Sequence, residues 1–268
     1  MADQHSTSHL HRPLLPTPTV VSTARFDNNV FLRLTLILSV GLISLWANHE
    51  ASKGFQVQIF NDARDSPAGK RFDLFYISND RATRILLNAS TFVEHLVYAP
   101  EDHPNHKKPV HRVALRLAST SNLTADETVT NHGGKFVIRL SPSLMQGLTA
   151  GSRDSAIASA VLRGMARVWL WDGGEESRAP SWVIEAAMEC VSRMAGFGVG
   201  GETTDARMLA GIMEHSERHS KGFIRRLNQA LRSGWRDRAT VEEAAGMTVE
   251  QMCESYKHSS PPNSVVDL

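Results

Sequence analysis

The sequence predicts an α+β domain in which strands and one helix come first and a helical half follows, preceded by a single membrane-spanning helix. Three observations carry this reading. Runs around 54–60 and 112–117 alternate apolar and polar residues, the period of a half-buried strand, and KFVIRL (135–140) reads as another strand. From residue 152 onward apolar residues recur at three- and four-residue spacing, the period of a helix. Residues 34–47, LTLILSVGLISLWA, carry no charge at all. A chain of 268 residues allows one or two domains at roughly 100–200 residues each. The economical division is a disordered tail over 1–29, a membrane anchor over 30–47, one domain over 51–258 and a second tail over 259–268.

Composition narrows the class. With 41% hydrophobic and 21% charged residues, the chain is neither fully disordered nor collagen-like. Basic and acidic residues number 29 and 28, which leaves no electrostatic reason to expect nucleic acid as a partner. Residues 1–29 show no apolar periodicity. His5, His9 and His11 there could bind a metal, but a solvated tail is the plainer reading.

The apolar run extends back to Val30 with Arg33 as its one charge. That is the lower end of the ~20 residues a spanning helix needs. Arg25 and Arg33 precede the run, while Lys53 beyond it is offset by Glu50. The positive-inside rule then predicts a cytosolic N-terminus and a lumenal or extracellular body. A cleaved signal would want a small residue where Leu45 stands, three before a cut after Ala47. The Ser/Thr-rich start is also compatible with plastid import. Two sequons, at Asn88 and Asn122, are candidate glycosylation sites consistent with a lumenal body. Cys190 and Cys253 could form one disulfide in an oxidising compartment or stay as two thiols.

Taken in order, GFQVQIF (54–60) predicts a strand, and NDARDSPAGKRF after it a turn rich in breakers. Asn79 can cap a helix over 79–98, in which Ile85, Phe92, Val93 and Leu96 share a face. A polar loop over 100–109 leads to a strand in which Val113, Leu115 and Leu117 alternate with Arg112, Ala114 and Arg116. Residues 118–133 read as a loop, KFVIRL (135–140) as a strand, and Ser141-Pro142-Ser143 as the start of a short helix. Ser152 or Asp154 caps a helix running to Trp171, stopped by Asp172-Gly173-Gly174. Further helices follow over 180–195, 204–218, 220–233, 240–246 and 248–257.

The helix over 153–171 holds the most informative residues. Ile157, Val161, Met165 and Val168 line one side, and Leu162, Trp169 and Leu170 much of the other, so the helix is expected to be buried. One stripe breaks the pattern with Ser159, Arg163 and Arg167. Arg163 and Arg167 stand at i and i+4 and project together. The next helix carries Glu185 and Glu189 at the same spacing. Buried arginines need carboxylates, so the expectation is an ion-pair cluster of Arg163, Arg167, Glu185 and Glu189 between two packed helices. An anion-binding site is the alternative. Two carboxylates one turn apart on one helix do not flank a substrate, which disfavours a glycosidase pair.

The chain resembles the plant basic secretory protein family of zinc metallopeptidases from about Phe55 to His258. The likeness is carried by FNDARDSPAGKRF (60–72), VHRVALRL (110–117), GKFVIRLSPSLMQG (134–147), VLRGMARVWLWDGG followed by APSWVIEAAMECVSRMAGF, and the later ARMLAGI, KGFIRRLNQALRSGW and MTVEQMCESYK. The resemblance implies a zincin-like domain and zinc as cofactor. In that family a HExxH motif holds zinc with two histidines and uses the intervening glutamate as general base. A glutamate from the next helix is the third ligand, followed by an aspartate that supports it. Here Arg163, Gly164 and Arg167 stand at the three HExxH positions. Glu185 stands at the third-ligand position, with Glu189 in place of the aspartate. A guanidinium has no lone pair for a metal, so no intact zinc site, no catalytic residue and no cofactor are expected. In the cluster reading Glu185 neutralises the arginines, and its removal would leave them uncompensated.

The functional expectation is a membrane-anchored, catalytically inactive peptidase-like protein that binds a peptide, glycan or protein in the secretory pathway. The alternatives are an active zinc peptidase or other hydrolase with a non-standard site, and a small-anion site built on Arg163 and Arg167. No GxSxG or Cys/His arrangement supports the hydrolase.

Overall fold

The computed structural model describes residues 28–52, 54–102, 106–119, 123, 125–146, 149–174, 176–198 and 204–259. The two predicted tails lie outside these residues, apart from Asn28, Asn29 and Ser259, and His5, His9 and His11 lie outside them too. The chain divides into two compact units, Met1–Glu50 and Ala51–Leu268.

The first unit contributes helix α1, Asn28–Ser52. Its large apolar side chains, from Phe31 to Ile43, are exposed. Thr35 and Ser39 turn their hydroxyls back onto the carbonyls of Phe31 and Thr35, both at 2.8 Å. Among the described residues no helix is long and apolar enough to cross a membrane. This overturns the predicted anchor over 30–47 and with it the single-pass topology. Arg33, Thr35, Ser39, Gly41 and Ser44 interrupt the apolar surface of α1.

The second unit is α+β, as the periodicities predict. Four strands, β1 (Gln56–Asn61), β2 (Arg112–Leu117), β3 (Glu127–His132) and β4 (Lys135–Leu140), form one mixed sheet in the order β1-β2-β4-β3. β1, β2 and β4 run parallel and β3 is antiparallel to β4. Leu115 of β2 lies in register with Ile59 and Ile138, and Leu117 with Asn61 and Leu140.

Two segments depart from the sequence reading. The stretch after β1 is not an open turn. Helix α2, Pro67–Phe72, runs into a π-helical turn over Asp73–Ile77. Ser66 caps α2 by accepting from the Gly69 amide at 3.0 Å, and Pro67 sits at its first position. Phe72 and Tyr76, one turn apart, stack at 5.7 Å and are fully buried. The stretch read as a loop over 118–133 contains β3. Gly133 and Gly134, both at positive φ (59° and 78°), join it to β4 in a two-residue turn that favours glycine.

Helix α3 (Arg81–Val97) follows, with the Asn79 side chain accepting from the Arg81 amide at 3.1 Å. Helix α4 (Ala150–Trp169) is capped by Thr149 rather than by Ser152 or Asp154. It packs on β3, β4, α3 and the next helix, α5 (Ser181–Met194). The remaining helices are α6 (Thr204–His219), α7 (Phe223–Ser233), α8 (Arg238–Ala245) and α9 (Val249–Ser259). Ile157, Val161, Met165 and Val168 of α4 are all but inaccessible and meet Ile138 and Leu140 of the sheet in one apolar core.

At Gly164, α4 packs tightly on the sheet. A Cβ built there would lie 2.7 Å from Ile138 Cγ2 and 3.1 Å from its Cδ1. Ile138 is fully buried and β-branched, so it has little room to turn. Gly164→Ala gains about 1 kcal/mol of helix propensity but overpacks the interface by about 1–3 kcal/mol. The expected result in urea denaturation is a net loss of about 1 kcal/mol. In an Ile138→Ala background the same substitution should become stabilising.

Candidate functional site

The arginine stripe of α4 faces the edge of the sheet and α5, and its two arginines part company. Arg163 places Nε 2.8 Å from Glu127 Oε1 of β3 and Nη1 3.8 Å from Glu189 Oε2 of α5. The Glu127 and Glu189 side chains are 3% and 1% exposed and that of Arg163 14%, so this is an ion triad withdrawn from water. The alternation of sign continues outward. Glu189 Oε1 accepts from Arg193 Nε at 3.1 Å, Arg193 Nη1 lies 3.9 Å from Glu214 Oε2, and Arg218 donates to Glu214 at 2.5 Å. Within α5 and α6 the partners are at i and i+4, so helix geometry alone aligns them. Glu127 and Arg163 are brought together only by the fold.

Arg167 turns the other way. Its Nη2 lies 3.4 Å from Asp172 Oδ2, just past the helix end, and its Nη1 is buried without an acceptor among the described residues. Glu185 is half-buried and makes no ion pair or side-chain hydrogen bond among the described residues. The expected cluster of Arg163, Arg167, Glu185 and Glu189 therefore does not form as a unit. Glu189 serves Arg163, Asp172 serves Arg167, and Glu185 serves neither. The reason is rotational: Glu185 and Glu189 share a helix face, but only Glu189 reaches the buried interior.

The C-terminal end of α4 is held by a second polar group, which the sequence reading missed. Tyr98 donates its hydroxyl to the Trp169 carbonyl and accepts from the Lys108 amide, both at 3.0 Å. The buried Lys108 donates Nζ to the Leu170 carbonyl at 2.5 Å, and its ammonium lies 5.3 Å from the Phe136 ring centroid. Asn228 of α7 accepts from the Trp171 amide at 2.8 Å. A cation at a helix C-terminus meets the negative end of the macrodipole. Burial nevertheless pulls the Lys108 amine down from 10.5 to about 8, with Asp172 opposing and Arg167 assisting. Beside this group a cleft of about 320 Å³ opens, lined by Tyr98, Asp102, His106, Trp171, Asn228 and Arg232 among others. Arg232 stacks 5.8 Å from the Trp171 ring centroid, and Trp171 Nε1 is buried without an acceptor among the described residues.

The remaining predicted sites stand as follows. Cys190 and Cys253 are both free, which sets aside the disulfide. Cys190 is buried in α5, and desolvation raises its thiol pKa. Asn88 is exposed on α3, but Ser90 of its sequon is buried and accepts from Trp169 Nε1 at 3.0 Å. Asn122 lies outside the described residues.

The donor set does not suit the zinc that the resemblance implies. Arg163 and Arg167 offer no lone pair, and Gly164 offers no carboxylate. Among the described residues no group of three or more His, Cys, Asp or Glu is arranged to hold a metal ion. A family model described as a peptidase of plants and bacteria, BSP, matches residues 52–256. Comparison with curated proteins and with solved structures returned no match.

Two outcomes are expected. Glu189→Ala should destabilise the chain by about 1.5–3 kcal/mol, because Arg193 loses its hydrogen-bonded carboxylate and Arg163 keeps only Glu127. Glu185→Ala should stay within about 0.5 kcal/mol, reversing the ranking expected from sequence. Chemical denaturation of both variants decides this. For Lys108, the unfolded chain binds more protons than the folded one between pH 8 and 10.5. The lysine's contribution to stability should therefore rise across that window, by up to about 3 kcal/mol, while the buried Cys190 thiol acts with the opposite sign above pH 9. Tyr76, raised from 10.0 to about 12 chiefly by burial, acts with the opposite sign above pH 10. Comparing the pH dependence of the unmodified chain with that of Lys108→Met isolates the lysine, since the variant should lack the rise.

Proposed function

The chain belongs to the BSP family of peptidases of plants and bacteria, and from that premise we propose that it is a peptidase-like protein that binds its target without cutting it. The observation that carries this reading is the seat of Arg163. Its guanidinium occupies the space between Glu127 and Glu189, where the resemblance calls for a zinc-binding histidine. The positive charge that the interior carboxylates require comes from a side chain rather than from an ion. Gly164 supplies no general base, and Ile138 fills the space beside it.

Two features support binding. Trp171 lines the cleft and its Nε1 has no acceptor among the described residues, and Arg232 lines the same cleft, an arrangement that favours a ligand rich in acceptor oxygens, such as the carboxylates of a peptide. The cleft by Trp171 lies within the usual size of a ligand pocket, roughly 300–1,000 Å³, and hydrogen bonds at Tyr98 and Asn228 hold its floor.

The test is a peptidase assay of the full chain against a mixed fluorogenic peptide library, with and without added Zn²⁺. The expected rate is that of buffer alone under both conditions. Hydrolysis that rises with Zn²⁺, falls with a chelator and disappears in Glu185→Ala would establish the active enzyme instead.

A further inference from the structure

A second cluster of coordinating side chains lies away from the arginine stripe, where α6 meets α9 and the turn after α8. His215 and His219 stand at i and i+4 on α6, with ring centroids 4.0 Å apart. Together with Met247, Met252 and Ser255 they line a cavity of about 20 Å³. That is room for one water-sized species, since about 10–15 Å³ holds one water.

The imidazoles are set up as ligands. His219 Nδ1 lies 2.9 Å from the His215 carbonyl. A carbonyl only accepts, so Nδ1 carries the proton and Nε2 keeps its lone pair, the arrangement that fixes a metal-binding histidine. His215 Nε2 lies 2.9 Å from Ser255 Oγ, and with Nε2 donating to that hydroxyl oxygen the lone pair of Nδ1 is left for a metal. Met252 is buried, while Met247 is 40% exposed and leaves an entry path.

The character of the donors selects the ion. Thioether sulfur and imidazole favour soft ions, Cu(I) above all, whereas Zn²⁺ prefers thiolate, imidazole and carboxylate. No carboxylate lines the cavity among the described residues. Arg218 and Arg226 stand nearby, the first paired with Glu214 and the second bonded to Ser220 and the Ala244 carbonyl. A neutral donor set beside two cations disfavours a dication far more than a monocation. We propose that His215, His219, Met247 and Met252 form a binding site for Cu(I) between α6, α8 and α9.

The experiment titrates the full chain with Cu(I) under anaerobic conditions, against a chromophoric competing chelator. It uses a background carrying His5→Ala, His9→Ala and His11→Ala, so that the N-terminal histidines do not contribute. The expected result is one Cu(I) per chain. Affinity should fall by at least about tenfold in His219→Ala and likewise in the exposed and conservative Met247→Leu, with no change in Cys253→Ser. The Met247 and Met252 methyl resonances should shift on binding. Absence of stoichiometric binding, binding indifferent to both His219→Ala and Met247→Leu, or binding lost in Cys253→Ser would each overturn the assignment.

Discussion

The contact on which the domain turns is the seat of the Arg163 guanidinium between Glu127 and Glu189. A charge on a helix packed against a sheet is tolerated only when opposite charge meets it there. Glu127 comes from an edge strand and Glu189 from a neighbouring helix, so one side chain fixes the mutual placement of β3, α4 and α5. The ladder of charge then runs through Arg193 to Glu214 and Arg218, out to the surface of α6. Each member has opposite charge on either side of it, except at the two ends. The exposed final pair contributes little by itself, whereas the buried first members cannot be left unmatched.

The other end of α4 is secured by different means. Tyr98 and Lys108 satisfy the Trp169 and Leu170 carbonyls, and Asn228 anchors the chain just beyond them. These bonds join α3, the loop before β2 and α7 to the same helix terminus. The helix is thus pinned by ions near its middle and by neutral and cationic donors at its end. Both attachments hold α4 against the sheet and against α3, α5 and α7.

How much of this was legible follows from how local each signal is. β1, β2 and β4 announce themselves by alternation, and α3 to α9 by their spacing and caps. β3 was missed because Glu127–His132 holds one strongly apolar residue, Val129, and gains its order from β4. The Gly133-Gly134 pair was the available sign of a hairpin. The turn after β1 hid α2 because breakers dominate its sequence, although Ser66 and Pro67 form a recognisable helix start. At the site, the spacing of Arg163 and Arg167 and of Glu185 and Glu189 was readable. Their partners were not. Which of two carboxylates a turn apart faces inward depends on helix rotation, and Glu127 lies 36 residues before Arg163 in a stretch that resembled a loop.

The close approach of Gly164 to Ile138 also bears on reversibility. Rebuilding a metal motif on this helix by successive single substitutions has no easy first step. A histidine at 163 removes the cation that Glu127 and Glu189 share. A glutamate at 164 drives its Cβ into Ile138 before it can serve any chemistry. A histidine at 167 releases Asp172 while the neighbouring positions remain unready. Each intermediate is less stable than the chain it starts from. The fold behaves as a ratchet: sterics and buried charge together oppose each of these replacements.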